Sequence, residues 1–462
     1  MRHHKQNIFL LALSLPVLSA GCAAPPLEPM RRLNWVPQEI SPEDLVGPGA
    51  EHRPTTGQQF PLDLLALLKL AGDKPLAIQV ARAQAQAAEA EESHAFSRWL
   101  PTLQPRLSFY RHEGEIQDTA GAFLTVDKQN AFGGGTVDLS VDLAEAYYQN
   151  ISAAQRKRAA LLGVHAARHL NVGEAVRLYY DLFEARASEV IAQAEEEYAQ
   201  QLVMVEEERV RQGKGLRANV LRAKAFLAAS KGHSALIQAQ VTTANSKLAA
   251  LLLLPAAAQL TPVEKTVMPI RFPEGDMTLT QLIGRAFQNR PDLKQSEALT
   301  QAAATELRQA RWAWLFPELR LTAAYGGFGR NLTDTKDRED YFADAVWEWS
   351  FGRVAEARFA DAQHREQLLK TEHLGRQIVA ELHAAQATLV AARRSMTAAG
   401  QGVEAATAAH ALVAERHKEG DALLVEVLDA ERAKTRAAIT LIRAVGSHNK
   451  TQFELRRLTG GG

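Results

Sequence analysis

Two segments of this chain repeat each other at a fixed distance. Pro75-Leu76 opens a stretch rich in Ala, Gln and Glu that ends at Trp99-Leu100-Pro101, and Pro291-Asp292-Leu293 opens another that ends at Leu315-Phe316-Pro317. Pro75 to Pro291 and Pro101 to Pro317 are both steps of 216. Further on, Gln212-Gly213 through Asn219-Val220-Leu221 matches Glu419-Gly420 through Glu426-Val427-Leu428, with Gly213 to Gly420 and Leu221 to Leu428 both steps of 207. A solenoid repeats every ~20–50 residues, so a period this long is a duplicated domain. The fold must therefore contain one unit twice, the copies differing mainly in loop length.

Within each copy the order of signals is the same. The proline-terminated helix is followed by a stretch of strand composition, Leu103 to Tyr110 and then Leu319 to Tyr325. A polar loop with glycines is expected next: Gly114, Gly121 and Gly133-Gly134-Gly135 in the first copy, and Gly326-Gly327, Gly329 and Asn331 in the second. A second strand then alternates. Val137, Leu139, Val141 and Leu143 point one way and Asp138, Ser140 and Asp142 the other; the counterpart, Ala343 to Phe351, sets Ala345, Trp347, Trp349 and Phe351 against Val346, Glu348 and Ser350. One apolar and one polar face suits a barrel strand between lipid and water. Four strands per chain are too few to close a barrel, since the smallest have about eight, so copies must supply the rest; three would give about twelve.

After each strand pair comes a very long helical stretch, roughly Ala144 to Gln212 and Arg353 to Glu419, and then a second helix, roughly Leu216 to Leu254 and Leu423 to Leu458. Gly213, Gly215 and Gly420 sit where the chain should turn back. At ~1.5 Å per residue, some 65 residues of helix reach on the order of 100 Å. These helices carry too much charge to span a bilayer, and recurring alanines such as Ala153, Ala159, Ala223 and Ala437 allow close packing in a coiled wall.

The amino terminus reads as a targeting segment: a basic start, an apolar run from Ile8 to Val17, then small residues before Cys22. Leu18-Ser19-Ala20-Gly21-Cys22 resembles a bacterial lipobox, in which the thiol is acylated and residues 1–21 are removed; Ala23, not Asp, follows, which for such lipoproteins implies export to the outer membrane. Cys22 is the one cysteine of the chain, which excludes intramolecular disulfides and multi-cysteine metal sites. Residues 22–60, rich in Pro and Gly, are expected to form an extended linker, with repeat 1 over 61–260 and repeat 2 over 261–462. The 53 basic and 53 acidic residues cancel, so no net field draws the protein to nucleic acid.

A duplicated helix, strand pair and long helical hairpin, with a lipobox upstream, resembles the TolC-like outer membrane efflux protein family over about Leu62 to Leu458. The most specific local match is Gly420 followed by Val425-Glu426-Val427-Leu428-Asp429-Ala430, which resembles the family's hairpin-tip segment. The junctions Leu139-Ser140-Val141-Asp142-Leu143 and Trp347-Glu348-Trp349-Ser350-Phe351-Gly352 resemble its strand-to-helix pattern, with the acid displaced in the second. The resemblance implies a mainly α protein with β: a trimer with a twelve-stranded outer-membrane β-barrel and a coiled-coil helical barrel in the periplasm, closed at its lower end until an adaptor and an inner-membrane pump dock. The expected activity is that of an exit duct for efflux or type I secretion, without catalysis or cofactor.

Glu426 and Asp429, three apart on one helix, share a face that the resemblance turns to the lumen. Three copies would then ring the constriction with carboxylates that attract cations and repel anions. The opposing reading is an ordinary solvated face. Asn219 and Arg222 hold the matching places in the first copy, with Arg222 the natural counter-charge. The turns at Gly213, Gly215 and Leu216 and at Gly420 and Leu423 are candidates for adaptor contact by helix-in-groove packing. Phe109, Tyr110, Tyr325, Trp347 and Trp349 suit an interfacial girdle or packing between barrel and helices. Where the family often carries a basic residue and a tyrosine that lock the closed state, this chain has Ala422 and His417, so no lock is carried over. His410 and His417 read as solvated, not as a metal site. The rival to a channel is a lipid-anchored periplasmic structural or adaptor protein, which would require the four strand segments to be loops.

Overall fold

The computed structural model describes residues 59–461 apart from 74, 256 and 265–267, so Cys22 and nearly all of the expected linker lie outside the described residues. The two halves of the described chain run through the same order of elements. Repeat 1 runs β1 (Gln59–Leu62), α1 (Leu64–Asp73), α2 (Leu76–Ser97), β2 (Thr102–Gln117), β3 (Phe123–Asp142), α3 (Leu143–Arg211), α4 (Arg217–Leu251). Repeat 2 runs β4 (Gln259–Pro262), α5 (Leu279–Asn289), α6 (Pro291–Trp312), β5 (Glu318–Asn331), β6 (Asp334–Val346), α7 (Gly352–Glu419), α8 (Leu424–Leu458). Corresponding helices have matching lengths: 22 and 22 residues for α2 and α6, 69 and 68 for α3 and α7, 35 and 35 for α4 and α8. Strand β1 begins inside the segment expected to be linker and pairs in parallel with β4, Gln59 opposite Gln259, so the two copies are stitched together at their first strands.

Each copy has its own core where its short helices meet its long ones. Leu62, Leu67, Leu182 and Leu248 are fully buried in the first, with Tyr179 and with Leu260 reaching in from β4, and Leu282, Ile378, Leu382, Leu389 and Leu455 fill the second. The segment joining the copies is clamped from both sides by equivalent asparagines. Asn245 on α4 donates to Ala258 O at 2.7 Å and accepts from Leu260 N at 2.8 Å. Asn449 on α8 donates to Met268 O at 2.9 Å and accepts from Ile270 N at 2.8 Å. A buried amide that satisfies two backbone groups of a passing segment fixes its path without leaving polar atoms orphaned.

The strands β2, β3, β5 and β6 form one antiparallel sheet in that order, leaving β2 and β6 as open edges within the chain. Directly opposed residues share a face in such a ladder. One face carries Leu103, Leu107 and Phe109 on β2, Val137, Leu139 and Val141 on β3, Leu319 and Leu321 on β5 and Tyr341 on β6; the other carries Arg106, Asp138, Arg320 and Asp344. This is the division between lipid and water expected of a barrel wall.

The strands run further than the sequence suggests. Glycines expected to mark loops lie inside β3 and β5, where Gly133 opposes Gly327 and Gly134 opposes Gly326. A Cβ at Gly134 would come within 2.3 Å of Tyr325 O and 2.6 Å of Gly326 Cα, so these glycines serve close approach of two backbones and the Phe132 ring rather than a turn. The counterpart strand expected over Ala343 to Phe351 is also corrected: β6 runs from Asp334 to Val346. Its partner β5 starts at Glu318, after Pro317, so Trp347 onward has no strand of this chain to pair with.

The hairpin turns follow the glycine signals. Asp142 caps α3 by accepting from Glu145 N at 2.8 Å, and α7 ends on Gly420 at φ +95°, where the left-handed backbone suits glycine. Gly213, at φ +73°, turns the chain from α3 into α4. Among the described residues, no helix is long and apolar enough to cross a membrane.

Candidate functional site at the hairpin tips

The tips of the two hairpins are packed on each other. Ala199, Leu202 and Val203 of α3, Ala223 and Phe226 of α4, and Leu424 and Leu428 of α8 form one buried cluster, and the Arg432 guanidinium lies 5.5 Å above the Phe226 ring. Leu424, Val427 and Leu428 of the α8 tip segment thus face inward. Glu426 and Asp429 are left exposed together on the opposite side, as their spacing requires. Asp429 has Arg432 of its own helix at 3.7 Å; Arg222 is exposed and makes no ion pair with either carboxylate among the described residues.

The two turns are built alike. Asn219 N donates to Leu216 O at 2.9 Å, and Glu426 N donates to Leu423 O at 3.0 Å. Leu216 and Leu423 precede the first turns of α4 and α8 with their side chains exposed, 68% and 66%. Two exposed leucines at equivalent places on adjacent hairpins are the kind of anchor a helical partner's groove takes. Gly215 lets the chain pass close to α3, since a Cβ there would sit 2.9 Å from Arg209 Cβ.

The structure corrects the reading of His410 and His417 as solvated. Seven residues put both on one stripe of α7, and that stripe faces α3. His417 is buried, with Nε2 2.9 Å from Glu206 Oε1 and 3.0 Å from Arg209 Nη1, and Nδ1 2.8 Å from Ala422 O. Arg209 Nη1 also donates to His417 O at 3.1 Å and lies 3.7 Å from Glu206 Oε1. A carbonyl oxygen only accepts, so Nδ1 carries a hydrogen. Nε2 faces both Arg209, from which it can accept, and Glu206, to which it can donate.

A second polar layer lies two helical turns up α7. His410 stacks edge-on against Tyr198 of α3, ring centres 5.3 Å apart, beside buried Glu431 of α8, whose Oε2 is 3.1 Å from Lys434 Nζ. Burial holds the His410 imidazole below the ordinary histidine range, against the pull of Glu431, and burial pushes the Tyr198 hydroxyl up to about 12. Glu206, Arg209, Tyr198 and Glu431 escape sequence reasoning because charged residues on charged helices look solvated. The usable signal is positional: an acid and a base three apart on α3, near the end of one hairpin, matched by two histidines seven apart near the end of the other.

The five aromatic candidates separate. Phe109 and Tyr325 lie on the apolar face of the sheet, Tyr110 points to the polar face, and Trp347 and Trp349 fall in the exposed link between β6 and α7. Among the described residues, no group of three or more His, Cys, Asp or Glu side chains is placed to hold a metal ion.

A β-sheet with one lipid-type face and two open edges, continuous with two hairpins on the order of 100 Å long, has the architecture of a barrel-forming protomer. Residues 282–461 match the family model described as outer membrane efflux protein. The same fold occurs in the CmeC outer membrane channel of Campylobacter jejuni, with a TM-score of 0.78 at 16% identity over 86% of each chain. It occurs in VceC of Vibrio cholerae, 0.75 at 19% identity over 86% of this chain and 96% of that one, and in the outer-membrane channel OprN, 0.74 at 21% over 90% and 99%. No curated protein matches. Residues 282–461 thus carry an outer membrane efflux protein domain, and the chain as a whole has the fold of these outer-membrane channels. Channels of this family are trimers that work with adaptor and pump partners, and they extend from the outer membrane into the periplasm.

Proposed function

We propose that this chain is one third of an exit duct that carries solutes from a periplasmic adaptor and an inner-membrane pump across the outer membrane, in a tripartite efflux or type I secretion system. The observation that carries the reading is the sheet itself. Four strands with a lipid-type face cannot stand alone with unpaired edges, and three copies close them. The rival reading, a periplasmic structural or adaptor protein, needs loops where β2, β3, β5 and β6 are strands.

In this reading, the helical hairpins form the periplasmic tunnel and its tips meet the adaptor through Leu216 and Leu423. Exposed Glu426 and Asp429 line the constriction. Replacing both with their amides should weaken block by multivalent cations several-fold and shift ion selectivity away from cations in the isolated channel. Unaltered selectivity would return the pair to an ordinary helix face.

Acylation of Cys22 would add a second hold on the outer membrane. Its support is the lipobox pattern around a lone cysteine. A Cys22→Ser variant should lose radiolabelled palmitate while still assembling; retention of the label would remove the anchor from the account.

A further inference from the structure

The β2–β3 ribbon outgrows its neighbours, and its pattern inverts where it does. The β3–β5 pairing ends at Ala131 opposite Gly329, but β2 and β3 continue to pair from Arg111 opposite Gln129 up to Gln117 opposite Phe123. That is about seven residue pairs, on the order of 20 Å, closed by a built turn in which Asp118 Oδ1 accepts from Ala120 N at 3.0 Å and Ala122 N at 2.8 Å.

Below this level the ribbon's lipid-type face is apolar and its pore face, Phe132 apart, polar. Above it the lipid side carries Glu113, Glu115 and Asp127, with Arg111 at 3.1 Å from Glu113 and 3.8 Å from Asp127; Phe123, beside the turn, is the apolar exception. Nearest the turn the pore side carries Ile116 opposite Leu124 and Val126 opposite Gly114, with Ile116 and Leu124 exposed, and at its base the one polar pair His112 opposite Lys128. No register shift separates the two zones, so the chemistry changes sides while the ladder does not.

A free two-stranded ribbon is marginal in water, and one with an apolar side needs a cover. Lipid would meet the charged side. The cover is already in place if copies surround one axis, because β2 is both a strand of the ribbon and the open edge at which the next copy joins. We propose that the apolar sides of three such ribbons, one per protomer, pack against one another above the barrel and narrow its outer mouth. This rests on the trimeric duct reading and adds to it a second constriction, at the end opposite the hairpin tips.

The test is cysteine crosslinking of the full-length protein in membranes with copper–phenanthroline, with wild type controlling for Cys22. Leu124→Cys should give covalent dimers approaching two of every three chains, since three thiols meeting at an axis form one disulfide. Single-channel conductance should fall at least twofold and recover on reduction. Thr125→Cys, next along β3 and on the charged side, should give few dimers. Val126→Cys serves if Leu124→Cys does not assemble. Equal crosslinking at 124 and 125, no crosslinking at 124 and 126 in protein of trimer mass, or dimers without a conductance change would overturn the closure. Apolar contact with lipid or with another protein would fall among the uncrosslinked outcomes. Protein without trimer mass would instead remove the duct reading, and the closure with it.

Discussion

Replacing His417 with alanine should raise the open fraction of the isolated channel by about tenfold or more. His417 is the side chain through which α7 is tied both to α3, at Glu206 and Arg209, and to its own turn at Ala422 O. Removing it leaves Glu206, only 1% exposed, with Arg209 at 3.7 Å as its remaining charged partner. Hydrogen bonds to a buried charge contribute about 1.5–3 kcal/mol each, and every 1.4 kcal/mol is about a factor of ten in an equilibrium. The loss acts locally because the two cores lie at the other end of the hairpins. His417→Gln keeps an N–H for Glu206 and should fall between wild type and alanine. Glu206→Gln on top of His417→Ala should add little, since the two act as one joint. Unchanged conductance and thermal stability in His417→Ala would show that the joint does not hold the tips.

A second large effect is expected from one methyl group in the sheet. Gly134→Ala places a Cβ 2.3 Å from Tyr325 O and 2.6 Å from Gly326 Cα, both backbone atoms that cannot rotate away. The β3–β5 pairing must separate, and with it the barrel wall, so trimers resistant to detergent should be lost from the outer membrane. Gly133→Ala, one residue away, meets Leu107 Cδ1 at 3.5 Å, an ordinary contact, and should assemble with little loss. Equal assembly of the two variants, judged by gel mobility without heating, would mean the strands are not packed as described.

The helices were legible from the sequence and the strand limits were not, for a physical reason. Helices α3, α4, α7 and α8 lie within three residues of their expected ends because they stop at glycines, at a capping aspartate or at the chain's last apolar positions, all local signals. Strand ends depend on a partner. Gly133 to Gly135 read as a loop because glycine usually breaks strands, yet their cause is Gly326 and Gly327, some 190 positions away. Trp347 and Trp349 alternate like a strand, but Pro317 ends the partner that would have paired with them.

At the tips, the shared exposed face of Glu426 and Asp429 was recognisable because it follows from helix spacing alone. The joint at His417 was not, since it takes three chemistries from three elements, and only the seven-residue step from His410 hinted that one side of α7 was covered.

The central claim is a water-filled trimeric duct, and the measurement that tests it most directly is single-channel conductance of the purified protein in a planar bilayer, with mass determined in the same detergent. The account predicts discrete, small conductance steps from a particle of three chains, near 150 kDa as three copies of the 50.6 kDa chain. Silent bilayers over repeated insertions of a monomeric particle would contradict it.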